Sequence, residues 1–392
     1  MNNQQVQQTR INKLLRTVDG LLSKVEQVGQ QAFPVAWPQI NMPLLLSGIG
    51  KLKSLNRKQQ LSLQQPEQAR LQLNRALQKL QYGFAVAEQH DLSLPLGTHH
   101  LAARHYVPQS STQLPAVLVY FHGGGFVLGN LESHDDICRL LCQQSGVQII
   151  AVDYRLAPEH PFPAGLNDAR AALHWVQAHA ARFGVLPEQI AVGGDSAGAN
   201  YAAVLAQESE GEIMASLLIY PSTDRSRVWP SAQQFADSTF LSKADRQWFY
   251  GHYLGKSDSP VTDPDVSPLL GLEQRLNTIA SNQTNSADSN LVSGTLAATV
   301  LVTGGHDVLQ DEGKAYAETL TQCGATVKYL HFDRLDHGFM HFIGVNKVAY
   351  QATKQIALEF RQLCQAHLAL LSGHQHRLIK HQHGLNRPIN HE

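Results

Sequence analysis

QIAVGGDSAGANYAAVLAQE, residues 189–208, changes character halfway along. QIAVGG is an apolar run that suits a strand, and ANYAAVLAQE suits a helix. Between them GDSAG (194–198) fits the G-x-S-x-G pattern of a sharp strand-to-helix turn. Such a turn forces Ser196 into strained dihedrals, while Gly194 and Gly198 leave room for neighbouring backbone that a side chain would strike. The expected result is a hydroxyl lifted out of a sheet, with the N–H of Ala197 beside it at a helix N-terminus. Gly, Ser and Ala also populate ordinary turns, so the pentapeptide has to be read with its neighbours.

Outward from this unit the alternation repeats. AVLVYF (116–121), VQIIAVDY (147–154), ASLLIY (215–220), ATVLVTGG (298–305) and TVKYLHF (326–332) read as strands, with helix-like segments such as AGLNDARAALHWVQAHAARF between them. Nearly all-apolar strands separated by helices indicate an α/β protein with a mostly parallel sheet covered on both faces. Reactive groups then gather at the carboxyl ends of the strands. Before residue 90 the spacing of Ile11, Leu14, Leu15, Val18, Leu21, Leu22, Val25 and Val28 predicts an amphipathic helix, and a second helical pattern follows Pro66. Both are expected to pack on the rest of the chain rather than on a membrane or partner. Residues 222–268 read as a helical excursion between strands, and the Ser/Asn-rich residues 281–295 as a mobile surface loop.

The run HGGGF (122–126) directly follows the strand AVLVYF. Three successive glycines cost backbone entropy that an ordinary turn avoids. An oxyanion hole needs such bare backbone, because the N–H groups of Gly124 and Gly125 can then approach a tetrahedral oxyanion to ~3 Å. A phosphate-binding loop is the competing reading, but the run has neither G-x-x-x-x-G-K-[ST] nor G-x-G-x-x-G. A serine nucleophile needs a base and an acid that orients it, in the chain order Ser, Asp or Glu, His. Asp307 follows the strand ATVLVTGG and His337 follows TVKYLHF, so these are the expected acid and base. The alternatives are less apt. His306 would need its acid from elsewhere, Asp311 and Glu312 fit the first turn of the next helix, Asp336 is adjacent to His337 and points apart, and His331 lies within a strand and is expected to be packed.

The chain has 392 residues, 43% of them hydrophobic and 16% charged, enough for a sizeable core. A formal net charge of -1 gives no field for drawing in nucleic acid or an anionic membrane. Cys138, Cys142, Cys323 and Cys364 are too few for a disulfide framework and are expected reduced and mostly buried. The start of the chain lacks the apolar core of a signal peptide, and no eighteen apolar residues run together, so the expectation is a cytoplasmic protein with no integral membrane association. The Asn282–Thr284 acceptor triplet is then read as chance. The pairs His374/His376 and His381/His383 could bind a transition metal, but a solvated basic tail is the preferred reading.

HGGGF, DYRLAPEHPFPAGLND (153–168), GDSAG, FLSKADRQWF, DPDVSPL, DVLQDEG and DHGF occur in that order, and together they resemble the hormone-sensitive-lipase group (bacterial family IV) of α/β-hydrolase esterases. The match covers roughly residues 80–360. The resemblance implies an α/β-hydrolase fold with a helical cap. Residues 1–85 would contribute to the cap, 222–268 would form the cap insertion, 86–221 and 269–365 the catalytic core, and 366–392 a His-rich tail. It places nucleophile, acid and base on Ser196, Asp307 and His337 and the oxyanion donors on Gly124, Gly125 and Ala197. His122 and Gly123 would organise the loop. It implies hydrolysis of short- to medium-chain acyl esters through an acyl-enzyme, with a small-molecule ester as partner, no nucleic acid, no metal or organic cofactor, and room for a homodimer. The chain departs from the pattern at Ala199, where the family often has glycine, and at His306. A non-catalytic small-molecule binding protein on the same scaffold is the competing reading.

Overall fold

The computed structural model describes residues 64–97, 99–255, 259–285 and 296–385. The amphipathic pattern of Ile11–Val28 lies outside the described residues. At the centre is a strand, β3 (Val117–Phe121), buried along its whole length. Val117, Val119 and Phe121 face one apolar cluster, and Leu118 and Tyr120 face the other. A strand apolar on both sides has to be covered twice, and this sets the layering of the whole molecule.

The remaining strands are β1 (Glu88–Pro95), β2 (His100–Val107), β4 (Gln148–Val152), β5 (Ile190–Asp195), β6 (Ala215–Ile219), β7 (Ala298–His306) and β8 (Val327–Asp336). They form one sheet in the order β1-β2-β4-β3-β5-β6-β7-β8. Pairing is parallel from β4 through β8, while β1 and β2 are antiparallel additions at one end. Helices α2 (Asp135–Ser145) and α9 (Lys347–Leu385) cover one face; α3 (Ala164–Ala178), α4 (Ala197–Glu208) and α8 (Gln310–Gln322) cover the other. The six strands expected from the sequence are present, each within a few residues of its predicted bounds.

Two expectations are corrected. Residues 281–285 are not loop: helix α7 (Pro268–Asn285) runs through them, and Thr278 and Ser281 turn their hydroxyls back onto the Gln274 and Asn277 carbonyls, which lets polar residues sit inside a helix. In the His-rich segment from 366, α9 continues to Leu385 with no proline to stop it. His331 is exposed on edge strand β8 rather than packed, bonded to Thr303 Oγ1 at 2.8 Å. All four cysteines are free, and Cys138, Cys142 and Cys364 are buried. No helix among the described residues is long and apolar enough to cross a membrane.

The excursion after β6 contains α5 (Pro230–Gln234) and α6 (Lys243–Tyr253). Ser242 caps α6 in a reciprocal box: its Oγ accepts from Asp245 N, and Asp245 Oδ2 accepts from Ser242 N. The excursion is fastened to the sheet through Glu312, a fully buried carboxylate on α8 that accepts from Thr223 N at 2.9 Å and faces Arg246 Nη2 of α6 at 3.3 Å. On the other flank α1 (Pro66–Gln78) is tied down by Arg70, whose guanidinium donates to Val127 O, Ala157 O and Glu159.

Burial pushes the Glu312 carboxyl up to about 7 from 4.5, despite the opposing pull of Arg246 and the Thr223 and Asp224 N–H groups. The folded protein therefore binds this proton more tightly than the unfolded chain. That stabilisation is full below pH 4.5 and is lost as the pH rises through about 7. Melting curves of wild type and Glu312→Gln across this range should show the wild type losing ground to the variant as the pH rises. A gap independent of pH would contradict this.

Candidate active site

Ser196 is the hinge between β5 and α4, and its backbone sits at φ 54 and ψ -115. A non-glycine residue holds such dihedrals only when its surroundings over-determine them. Here its N–H donates to Ile219 O at 2.9 Å, and its carbonyl accepts Asn200 N at 3.1 Å. Gly194 and Gly198 make the turn sterically feasible, because a Cβ on either would overlap the carbonyl oxygen of Phe121 at the end of β3. α4 thereby lies close against the sheet, with Ala197 at its first position.

Two further strands end beside this turn. Asp307 follows β7 directly and His337 follows β8 directly. Ser196 Oγ is 2.8 Å from His337 Nε2, and His337 Nδ1 is 2.8 Å from Asp307 Oδ2. A carboxylate only accepts, so Nδ1 carries the ring proton and Nε2 is left free to accept from the serine hydroxyl. Asp307 is fully buried, and its second oxygen accepts Leu309 N at 2.8 Å, which fixes the carboxylate in place. The His337 ring also meets Tyr220 edge-on at 4.9 Å.

The glycine run is held by its own histidine. His122 Nδ1 donates to Gly123 O at 2.8 Å, and since a peptide is planar this also fixes the direction of the Gly124 N–H. Burial pushes the His122 imidazole down to about 3, so it is neutral. Gly124 has φ +124, and a Cβ there would overlap the Leu128 carbonyl; a Cβ on Gly125 would strike the Phe249 ring of α6. The helical excursion thus packs directly on the glycine run.

The other groups weighed from the sequence lie elsewhere. His306 is exposed with its ring edge on Phe235, Asp336 lies across from it at the end of β8, Asp311 caps Ser231, and Glu312 is the fastening described above. Sequence reading missed several buried partners. Asp195, inside GDSAG, accepts from Tyr120 OH at 2.8 Å and from Gly123 N at 2.9 Å, and so couples the glycine run to the serine turn. Asp168 grips the Arg155 guanidinium at 2.7 Å and its backbone N–H at 2.9 Å, which holds the loop after β4. Both lie in motifs that had been read for other residues. Among the described residues, His134, Asp195 and His341 bring potential metal-ligating atoms within 4.8 Å of one another. Asp195 Oδ1 and His134 Nε2 already share the Gly123 N–H, so these two buried groups act as a hydrogen-bonded brace.

The model of a family described as having the alpha/beta hydrolase fold matches residues 118–341. The carboxylic ester hydrolase LipN of Mycobacterium tuberculosis is 38% identical over 288 residues, covering 71% of this chain and 70% of that protein. The ethyl acetate hydrolase of Pseudomonas putida is 37% identical over 258 residues, covering 64% of this chain and 75% of that one. Among solved structures, EstE1, a thermostable carboxylesterase cloned from a metagenomic library, superposes with a TM-score of 0.67 at 33% identity, covering 77% of this chain and 98% of its own. The hyperthermophilic esterase of the archaeon Pyrobaculum calidifontis gives 0.70 at 29% identity, covering 84% and 99%.

The contact between Gly198 and β3 yields a direct test. Gly198→Ala should destabilise the protein by about 1–3 kcal/mol, the usual cost of overpacking a close-packed interior. The denaturant midpoint measures it, and an unchanged midpoint would mean that α4 can be moved off the sheet at no cost.

Proposed function

The chain belongs to the α/β-hydrolase esterase family and is a carboxylic-ester hydrolase, and we propose that Ser196, His337 and Asp307 are its nucleophile, base and acid. The observation that carries this reading is the unbroken series of contacts from Ser196 Oγ to His337 Nε2 and from Nδ1 to Asp307, 2.8 Å at each step. His337 takes the hydroxyl proton as Oγ attacks the ester carbonyl, and Asp307 steadies the imidazolium that forms. The N–H groups of Gly124, Gly125 and Ala197 take the oxyanion, where losing one donor typically costs ~10²-fold or more in rate. His337 then protonates the leaving alcohol, and water repeats the sequence to free the acid.

We assign the described N-terminal residues 64–85, together with residues 222–255 and 259–268, to the cap. Support comes from Arg70 of α1 on Val127 O, Trp248 Nε1 of α6 on Gln64 O at 3.2 Å, and Phe249 against Gly125. A bulky ring this close to the proposed oxyanion donors favours compact esters, in line with a relative named for ethyl acetate. Short to medium acyl chains are therefore the proposed substrates. Four free thiols suit a reducing compartment, and we place the enzyme in the cytoplasm.

A p-nitrophenyl ester series from acetate to dodecanoate should show kcat/KM highest at the short to medium chains. Ser196→Ala should lower kcat by roughly 10⁴-fold or more while leaving the melting temperature close to wild type. Turnover by the variant at the wild-type rate would remove Ser196 from the mechanism, and a rate maximum at dodecanoate would overturn the substrate assignment.

A further inference from the structure

His134 lies on the short turn Glu132–His134 that leads into α2, and its side chain is 2% exposed. It is the one member of the buried brace with no part yet in the chemistry. Its Nδ1 is 2.8 Å from Ser133 Oγ, and that hydroxyl spends its only proton on Asn130 O, also at 2.8 Å. Ser133 Oγ can then only accept from the ring, so Nδ1 carries the imidazole proton and Nε2 is a bare acceptor. The Gly123 N–H points at that Nε2 from 3.2 Å while also reaching Asp195 Oδ1 at 2.9 Å. An imidazolium paired with Asp195, 3.3 Å away, would set one N–H against another at this point. With Nδ1 donating and Nε2 accepting, the ring N–H and the Gly123 N–H both have partners.

Resting on the esterase reading above, we propose that His134 is a positioning residue for ester hydrolysis: its Nε2 acceptor holds the His122–Gly123 peptide, and with it the glycine run that presents the oxyanion donors. Gly123 is pinned at both polar groups, its N–H by His134 and Asp195 and its C=O by His122 Nδ1. With both pinned, the next peptide plane, which carries the Gly124 N–H, has no remaining freedom. Without the His134 acceptor, the peptide swings about its single bond to Asp195. The His134 ring is itself wedged between His122, centroids 5.3 Å apart, and His341, 4.8 Å away and edge-on. His341 lies four residues beyond His337, so the same ring connects the glycine run to the loop bearing the proposed base.

The test compares His134→Phe, which keeps a ring but loses the acceptor, with His134→Gln, whose amide oxygen can take the place of Nε2. Ser133→Ala removes the group that fixes the tautomer. The readouts are kcat, KM and the affinity of a trifluoromethyl ketone, which binds through a tetrahedral oxyanion. We expect His134→Phe to lower kcat about tenfold and to weaken the ketone by a similar factor, with KM within about twofold. His134→Gln should recover kcat to within about threefold of wild type, and Ser133→Ala should fall between the two. The proposal is overturned if the Phe variant keeps wild-type kcat, if its loss appears in KM alone, or if Gln is no better than Phe. Should the Phe variant not fold, an unchanged kcat in Ser133→Ala overturns it equally. Absence of ester turnover in the wild type would instead fail the underlying reading.

Discussion

The ends of two adjacent parallel strands, β3 and β5, set the geometry of everything at the carboxyl edge of the sheet. Phe121 and Gly194 are register partners, so the glycine run and the serine turn leave the sheet side by side. Two contacts then lock them together. The Phe121 carbonyl fills the space that a Cβ on Gly194 or Gly198 would need, and Asp195 draws in both the Tyr120 hydroxyl and the Gly123 N–H. The proposed nucleophile and oxyanion donors are thus positioned relative to one another by backbone contacts and one buried carboxylate. Because Asp195 is buried and accepts several hydrogen bonds, displacing any one of them leaves an expensive unpaired group.

Three imidazoles around this edge share one tautomer, and each has it for the same reason. His337, His122 and His134 all offer an Nδ1 proton to an oxygen that can only accept there: Asp307, Gly123 O and the committed Ser133 hydroxyl. Each Nε2 is thereby left bare. In His337 that atom faces Ser196, in His134 it faces the Gly123 N–H, and in His122 it is buried 3.9 Å from Asp153. The proposed proton acceptor and the two loop braces differ in what they face, not in how they are prepared.

Much of this was legible in the sequence, for a physical reason. Strands buried on both faces write themselves as apolar runs, which is why β3 to β7 could be read and why Asp307, standing directly after such a run, drew attention; the edge strand β8 is buried only at Leu330 and Leu335 and was legible from its β-branched and aromatic residues, Val327, Tyr329 and Phe332. β1 could not be read in the same way: EQHDLSLP lies at the open edge with only Leu94 fully buried, so its pattern is mostly polar. The helical end of α7 was hidden by Ser, Thr and Asn, residues that favour loops, although here the Thr278 and Ser281 hydroxyls fold back on the helix. Asp195 and His134 were missed for a different reason. Buried polar partners carry no periodicity, and what identifies them is a neighbour far away in sequence, as with Asp195 and Tyr120, 75 residues apart.

The central claim is that one strained serine, and no other group, forms the covalent intermediate. Treating the protein with a p-nitrophenyl alkylphosphonate and mapping the adduct by peptide mass spectrometry measures this directly. The account predicts a single stoichiometric adduct on Ser196, formed at the rate at which ester hydrolysis is lost. A protein inactivated with the label on any other residue, or one fully labelled at Ser196 that still hydrolyses esters, would contradict it.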